Sequence, residues 1–124
     1  KDEKIQHLWI GWSNWVSCGT NACNVSLKYR YNEALRLCEL NWDGLVNAPI
    51  GGNTMGYMWT GFPADKKPRG NMFIPIANPA ADAGLVIRYY PSTNDITAGN
   101  FTLTSLKNTI NNVYICGFYT YSYA

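Results

Sequence analysis

The chain has 124 residues, of which 47% are hydrophobic and only 15% are charged. Its 10 Lys and Arg side chains against 8 Asp and Glu give a net charge of +2, which is too balanced for the basic surface that binds nucleic acid. No apolar run approaches the roughly 18–20 residues that a membrane helix needs. We therefore expect a single domain over residues 1–124, with no nucleic-acid partner and no membrane insertion.

Alternation of apolar and polar side chains predicts a series of short strands. They are predicted at residues 5–15, 25–31, 35–42, 72–77, 85–90, 95–97, 101–106 and 113–121. A polar loop is expected at 17–24 and a surface loop at 49–53. Residues 34–45 also have apolar side chains at helical spacing, but the flanking sequence is typical of strands, so we predict a strand there.

A proline-bracketed loop precedes the predicted hairpin of residues 72–77 and 85–90, whose strands are joined by a turn containing Asn-Pro. Proline fixes its own φ and disfavours helical geometry in the preceding residue. Phe62 and Lys67, which precede the prolines of the loop at 63–68, should therefore be extended. We expect the other strands to be added on either side of this hairpin.

About seven or eight short strands without a long helical segment indicate an all-β fold, a compact antiparallel sandwich or barrel. The four cysteines leave two alternatives open. They permit two disulfides in any of three pairings, or they are small buried hydrophobic residues of a reduced protein. We favour the reduced state because a chain of this length can build a core without disulfides.

Residues with an obvious catalytic arrangement are absent from the sequence. His7 is the single histidine, and its position in an apolar segment near the start is poor for a zinc site or a Ser-His-Asp triad. The acidic residues that a glycosidase could pair have no distinctive spacing: Glu39, Asp43, Asp82 and Asp95. We expect no enzymatic activity, no metal and no cofactor.

The first third of the chain resembles a thrombospondin type 1 repeat, in which tryptophans stack with arginines. Residues 12–18 carry two tryptophans and a cysteine, and Arg30, Arg36 and Cys38 follow. That module is shorter than this chain, normally has more cysteines, and contains a Cys-Gly-Gly turn that is missing here. We therefore treat this resemblance as coincidental.

A second resemblance covers nearly the whole chain and depends on the order of several motifs. These are Tyr29-Arg30-Tyr31, the proline loop at 62–68, Gly84-Leu85-Val86-Ile87, Ile96-Thr97 and an aromatic segment at 113–121. Their order and spacing resemble the receptor-binding head domain at the tip of tailed-phage fibres and baseplates, best known from lactococcal siphophages. The family's Tyr-Arg before the second proline is Lys66-Lys67 here.

The resemblance implies an antiparallel β-barrel that assembles as a homotrimer, binds a host cell-wall polysaccharide near the clefts between protomers, and performs no chemistry. It implies a protein made in the cytoplasm of the bacterial host and carried on the virion at the tail tip or baseplate. Other tail or baseplate proteins would be attached through the region before Lys1. The alternative is a secreted, disulfide-bonded glycan-binding effector or toxin-delivery subunit.

The pocket residues of the lactococcal heads are not retained at the matching positions, so the saccharide-binding candidates are side chains with suitable chemistry at those positions or elsewhere in the chain. They are Arg88, Tyr90, Trp42, Trp59, Asp82, Asn94, Asp95 and Asn111. Rings can stack on a sugar face, and arginine can bind phosphate through two donors. The alternatives are a solvent or interface role for the arginine, core packing for the rings and ordinary turn chemistry for the polar residues.

Overall fold

The computed structural model describes residues 11–51, 56–76, 84–92 and 96–124. The elements in chain order are β1 (Val16–Thr20), β2 (Ser26–Asn32), β3 (Leu37–Leu45), β4 (Tyr57–Met58), a 3₁₀ helix (Ala64–Lys66), β5 (Met72–Pro75), β6 (Leu85–Tyr89), β7 (Thr102–Ser105) and β8 (Tyr114–Ser122). In those ranges, no helix is long and apolar enough to cross a membrane.

The strands form two antiparallel sheets of four strands each, in the orders β1-β2-β3-β8 and β4-β7-β6-β5. The all-β prediction is confirmed as a sandwich of two open sheets, and the fold is not a closed barrel. The β5–β6 hairpin is also confirmed, with Met72 opposite Tyr89. However, among the described strands β5 lies at the edge of its sheet, so the expectation that strands flank this hairpin on both sides is wrong.

The core lies between the two sheets because each strand turns alternate side chains inward. In the first sheet Leu27 pairs with Trp42 and Tyr29 with Leu40, and all four are buried. The second sheet contributes a matching set of buried residues, namely Ile74, Ile87, Tyr89 and Leu103.

A chain of aromatic rings runs through the middle of the core. The ring of Phe62 lies 4.9 Å from that of Tyr29 on β2 and 4.9 Å from that of Phe101, measured between ring centres. Phe101 in turn lies 6.1 Å from Tyr121 on β8. These contacts use the large apolar area of the rings to hold the proline loop and the second sheet against the first.

The proline loop contacts the first sheet through Lys66. Its ammonium nitrogen lies 4.2 Å from the centre of the Tyr31 ring and 3.1 Å from the Asp65 carboxylate. Burial alone would lower the pKa of Lys66, but the hydrogen bond to Asp65 and the charges of Asp65 and Glu33 outweigh it, so this pKa is raised. The prediction that Lys67 is extended is confirmed, since its φ is −71° and its ψ is 152°.

Two of the elements predicted from the sequence are wrong. Residues expected in a polar loop at 17–24 instead contribute most of β1, because the turn is confined to the residues after it. There the Asn21 side chain accepts hydrogen bonds from the backbone N–H groups of Cys23 and Val25. Residues 96–99 form a turn rather than the end of the strand predicted at 95–97. Of the first strand predicted at 5–15, residues 5–10 lie outside the described residues. Residues 11–15 form no strand, and only Trp12 among them makes an isolated bridge, with Asn32.

All four cysteines are free thiols in this fold. Burial raises the pKa of Cys18 to about 12 and those of Cys23 and Cys38 to about 11. Cys116 is exposed and pairs with Asp43 on the outer side of the first sheet. Two disulfides would use all four cysteines, including Cys116. Cys116 would then have to reach the opposite face of β8, which the register of that strand prevents.

Candidate functional site

Two of the predicted stacking residues, Trp42 and Trp59, are core residues with exposed fractions of 4% and 2%. The indole N–H of Trp59 donates to the carbonyl oxygen of Val25 over 2.8 Å. Trp42 lies opposite Gly117 in the β3–β8 pair, and its indole covers that glycine. Neither ring offers a face to a ligand in this fold.

Arg88 and Tyr90 are brought together at the end of β6. The guanidinium carbon of Arg88 lies 4.7 Å from the centre of the Tyr90 ring, and its Nη2 donates to Thr97 Oγ1 over 3.0 Å. Phe73 lies opposite Arg88 and places its ring 5.7 Å from that of Tyr90. The half-buried guanidinium is therefore engaged by groups of the chain itself.

The remaining predicted residues do not join this group. Asn111 is exposed before β8, where its side-chain oxygen accepts a hydrogen bond from the N–H of Asn112. Asp82, Asn94 and Asp95 lie outside the described residues.

A second group of rings lies on the outer face of the first sheet and surrounds Arg30. The guanidinium carbon of Arg30 is 4.8 Å from the centre of the Trp12 ring and 4.9 Å from that of Trp15. The ring of Trp15 also contacts that of Phe118, with ring centres 6.0 Å apart and the ring planes inclined at 54°. We call Trp12, Arg30, Trp15 and Phe118 the aromatic strip.

Strand register brings the aromatic strip to one face. Arg30 on β2 pairs with Glu39 on β3, and Phe118 on β8 pairs with Asn41 on β3. Paired residues of an antiparallel sheet point to the same side. The side chains of both pairs, Arg30 with Glu39 and Phe118 with Asn41, therefore face away from the core. The strip thus crosses the sheet from its β1 edge to its β8 edge.

The side chain of Arg30 is restrained by its neighbours. Its Nε donates to Glu39 Oε1 over 2.7 Å, which balances the charge of the guanidinium. Trp15 is 39% exposed and Phe118 is 64% exposed. The strip therefore presents two accessible rings beside a guanidinium whose orientation is fixed by a carboxylate and two indoles.

Such an arrangement can bind a planar or ring-shaped ligand without reacting with it. Exposed rings offer apolar contact area with little loss of conformational freedom, and a fixed guanidinium offers directed donors. Glu39, an acid that a glycosidase could have used, is occupied by Arg30. In the part of the chain that the structure describes, no three His, Cys, Asp or Glu side chains are grouped to hold a metal.

The sequence predictions of saccharide-binding residues missed the strip. The tryptophan and arginine pattern that resembles a thrombospondin repeat was treated as coincidental, yet Arg30 does lie against Trp12 and Trp15. Phe118 could have been suspected from its alternation with the buried Tyr121 and Ile115 along β8. The sequence did not indicate that the segment with Trp12 and Trp15 and the strand with Phe118 lie on the same open face.

The fold and this surface define the class of protein: a β-sandwich with an exposed aromatic strip on one open face. The chain matches no known protein-family model and no curated protein.

Proposed function

We propose that the chain is a non-enzymatic recognition head that binds a host cell-surface saccharide through the aromatic strip. The observation that carries the proposal is Arg30, whose guanidinium lies against the rings of Trp12 and Trp15 on an open face beside the exposed ring of Phe118. Sugar rings have an apolar face that stacks on aromatic side chains and hydroxyl groups that accept hydrogen bonds from a guanidinium. The aromatic strip provides both the exposed rings and the guanidinium, side by side on one face of the sheet.

Within this proposal the chain is the head of a phage receptor-binding protein, carried on the virion at the tail tip or baseplate. The support is the order of motifs that resembles such heads, and the homotrimer and the attachment of other tail proteins before Lys1 belong to the same proposal. Each open strip would bind a repeating cell-wall polysaccharide weakly, and many copies per particle would multiply the avidity.

The four free thiols agree with a protein made in a reducing bacterial cytoplasm. The alternative of a secreted, disulfide-bonded glycan-binding effector or toxin-delivery subunit needs bridges that the outward position of Cys116 opposes. The phage proposal is therefore favoured over this alternative.

The test compares two exposed rings on opposite sheets, Trp15 with 39% exposure and Phe73 with 43% exposure. Binding to purified cell-wall polysaccharide from Gram-positive hosts is measured for the unmodified protein, Trp15→Ala and Phe73→Ala. Losing one stacked ring should cost about 1.4 kcal/mol, so Trp15→Ala should bind about tenfold more weakly. Phe73→Ala should bind like the unmodified protein.

Each other outcome has a defined meaning, provided that both variants keep their melting temperature. A loss confined to Phe73→Ala would move the site to the group around Arg88 and Tyr90. Unchanged binding in both variants would contradict the strip as the site. Absence of binding by the unmodified protein to every wall preparation would contradict saccharide recognition, and release of soluble sugar would contradict a non-enzymatic role.

A further inference from the structure

In the part of the chain that the structure describes, the two sheets have four edge strands, which differ in how they are protected. β4 has 2 residues, and β5 has 4 and ends in Pro75. β1 has 5 residues and an irregular register between Ser17 and Thr20. β8 has 9 residues, contains no charge and no proline, and pairs with β3 without interruption. Short length, proline and irregular register are the usual devices that prevent pairing with another chain, and β8 has none of them.

The outer edge of β8 has backbone groups directed away from β3. At one end Val46 N–H donates to Val113 O, and at the other end Tyr123 N–H donates to Arg36 O. Because the direction alternates along an antiparallel strand, the residues of the same parity as Val113 and Tyr123 turn toward β3. The others turn outward, namely Tyr114, Cys116, Phe118, Thr120 and Ser122. Among the described residues, none pairs with this edge.

The sequence of β8 is complementary to itself in an antiparallel pairing centred on Phe118. Two of the cross-pairs then place a large side chain opposite a small one, the pair of Ile115 and Tyr121 is large on both sides, and no like charges meet because β8 carries none. The cross-pairs are Tyr114 with Ser122, Ile115 with Tyr121, Cys116 with Thr120, and Gly117 with Tyr119. The two Phe118 rings would meet at the two-fold axis.

We propose that β8 joins two copies of this chain edge to edge, so that their first sheets form one continuous antiparallel sheet. The contact is isologous, and it would pair either single chains or the homotrimers of the proposed function. It goes beyond saccharide binding, because it concerns the backbone edge of β8. It would also bring the two aromatic strips together through Phe118 and present two sites to one polysaccharide at a fixed separation.

The test measures the solution mass of the whole chain by light scattering with and without Thr120→Pro. This substitution removes an outward N–H and leaves the bonds to β3 intact, because Thr120 belongs to the outward set. The unmodified protein should have an even number of chains, and Thr120→Pro should have half that mass. Thr120→Val keeps the N–H and should leave the mass unchanged. A monomeric or trimeric unmodified protein would overturn the proposal, as would a folded Thr120→Pro variant of full mass.

A second pair of variants covers the case in which Thr120→Pro does not fold. Phe118→Lys and Phe118→Glu each place two like charges at the two-fold axis and keep every backbone donor. Each variant alone should have half the mass, and an equimolar mixture should recover the full mass. Failure of the mixture to recover it would exclude a contact centred on Phe118. These masses do not depend on whether the strip binds a saccharide.

Discussion

Arg30 illustrates how one side chain can be oriented without being buried. The rings of Trp12 and Trp15 lie 4.8 Å and 4.9 Å from its guanidinium carbon and Glu39 binds its Nε, so little freedom is left to lose when a ligand binds. A lysine at this position could not use both rings in the same way, because its ammonium group has no plane. Arg88 differs, since its guanidinium is occupied by Tyr90 and Thr97.

Gly117 is the residue at which a single added carbon should matter most for packing on Trp42. A Cβ at this position would lie 2.7 Å from Trp42 Cζ2, and the indole is buried and cannot move aside easily. We expect Gly117→Ala to lower the free energy of unfolding by about 1–3 kcal/mol. Urea denaturation at neutral pH measures this difference.

Gly70→Ala is the matched control for this substitution. A Cβ at Gly70 would meet no atom within 4 Å, so its effect should stay within about 0.5 kcal/mol. Equal stability of the two variants would contradict the close contact between Gly117 and Trp42.

At the scale of elements, the proline loop and β8 stabilise each other although they are far apart in the sequence. The Tyr121 hydroxyl donates to the carbonyl oxygen of Lys66 over 2.6 Å, and both groups are buried. The Lys66 ammonium rests on the Tyr31 ring of β2. The loop is thus attached to two strands of the first sheet, and the extended Lys67 then leads toward the second sheet.

Tyr121→Phe tests this attachment by removing one hydroxyl. The substitution keeps the ring in the core but leaves the Lys66 carbonyl without its donor, so we expect a loss of about 1–2 kcal/mol in the free energy of unfolding. Amide hydrogen exchange of the loop should accelerate in the same variant. Tyr119→Phe, on the exposed ring next along the same face, is the control and should change neither quantity. A Tyr121→Phe variant as stable as this control would show that the loop does not depend on the bond.

At the scale of the whole molecule, the buried thiols make stability depend on alkaline pH. The pKa of Cys18 is raised by burial and the neighbouring Cys38 to about 12, and those of Cys23 and Cys38 are raised mainly by burial to about 11, all from 9.0. An acid whose folded pKa exceeds its unfolded value favours the folded state fully below the unfolded pKa. Its contribution is lost as the pH rises through the folded value.

We therefore expect the free energy of unfolding to fall as the pH rises from about 9 to about 11, as measured by urea denaturation in a series of buffers. Cys38→Ala removes one of the titrating groups and should make the decline shallower. Cys116→Ala, at an exposed position, is the control. A stability that is constant over this range would contradict burial of the thiols.

Local alternation was sufficient to predict most of the strands. β2, β3, β7 and β8 were each expected within a few residues of where they lie, because period-two alternation reports which side chains share a face. β1 was missed because Gly19 and the Asn21 turn suggest a loop when read without a pairing partner. β4 was missed because Tyr57–Met58 has only 2 residues, too few to show a period.

Only the tertiary structure decided which faces are covered. Trp15, Trp42 and Trp59 are the same residue type, yet the first is exposed on the strip and the other two are core residues. The difference arises because β8 pairs with β3, while the hairpin of β5 and β6 joins β7 in the opposite sheet. Alternation along one strand specifies two faces, but which of them meets the other sheet depends on contacts between residues far apart in the chain. The strand content thus followed from the sequence, whereas the aromatic strip followed from long-range pairing.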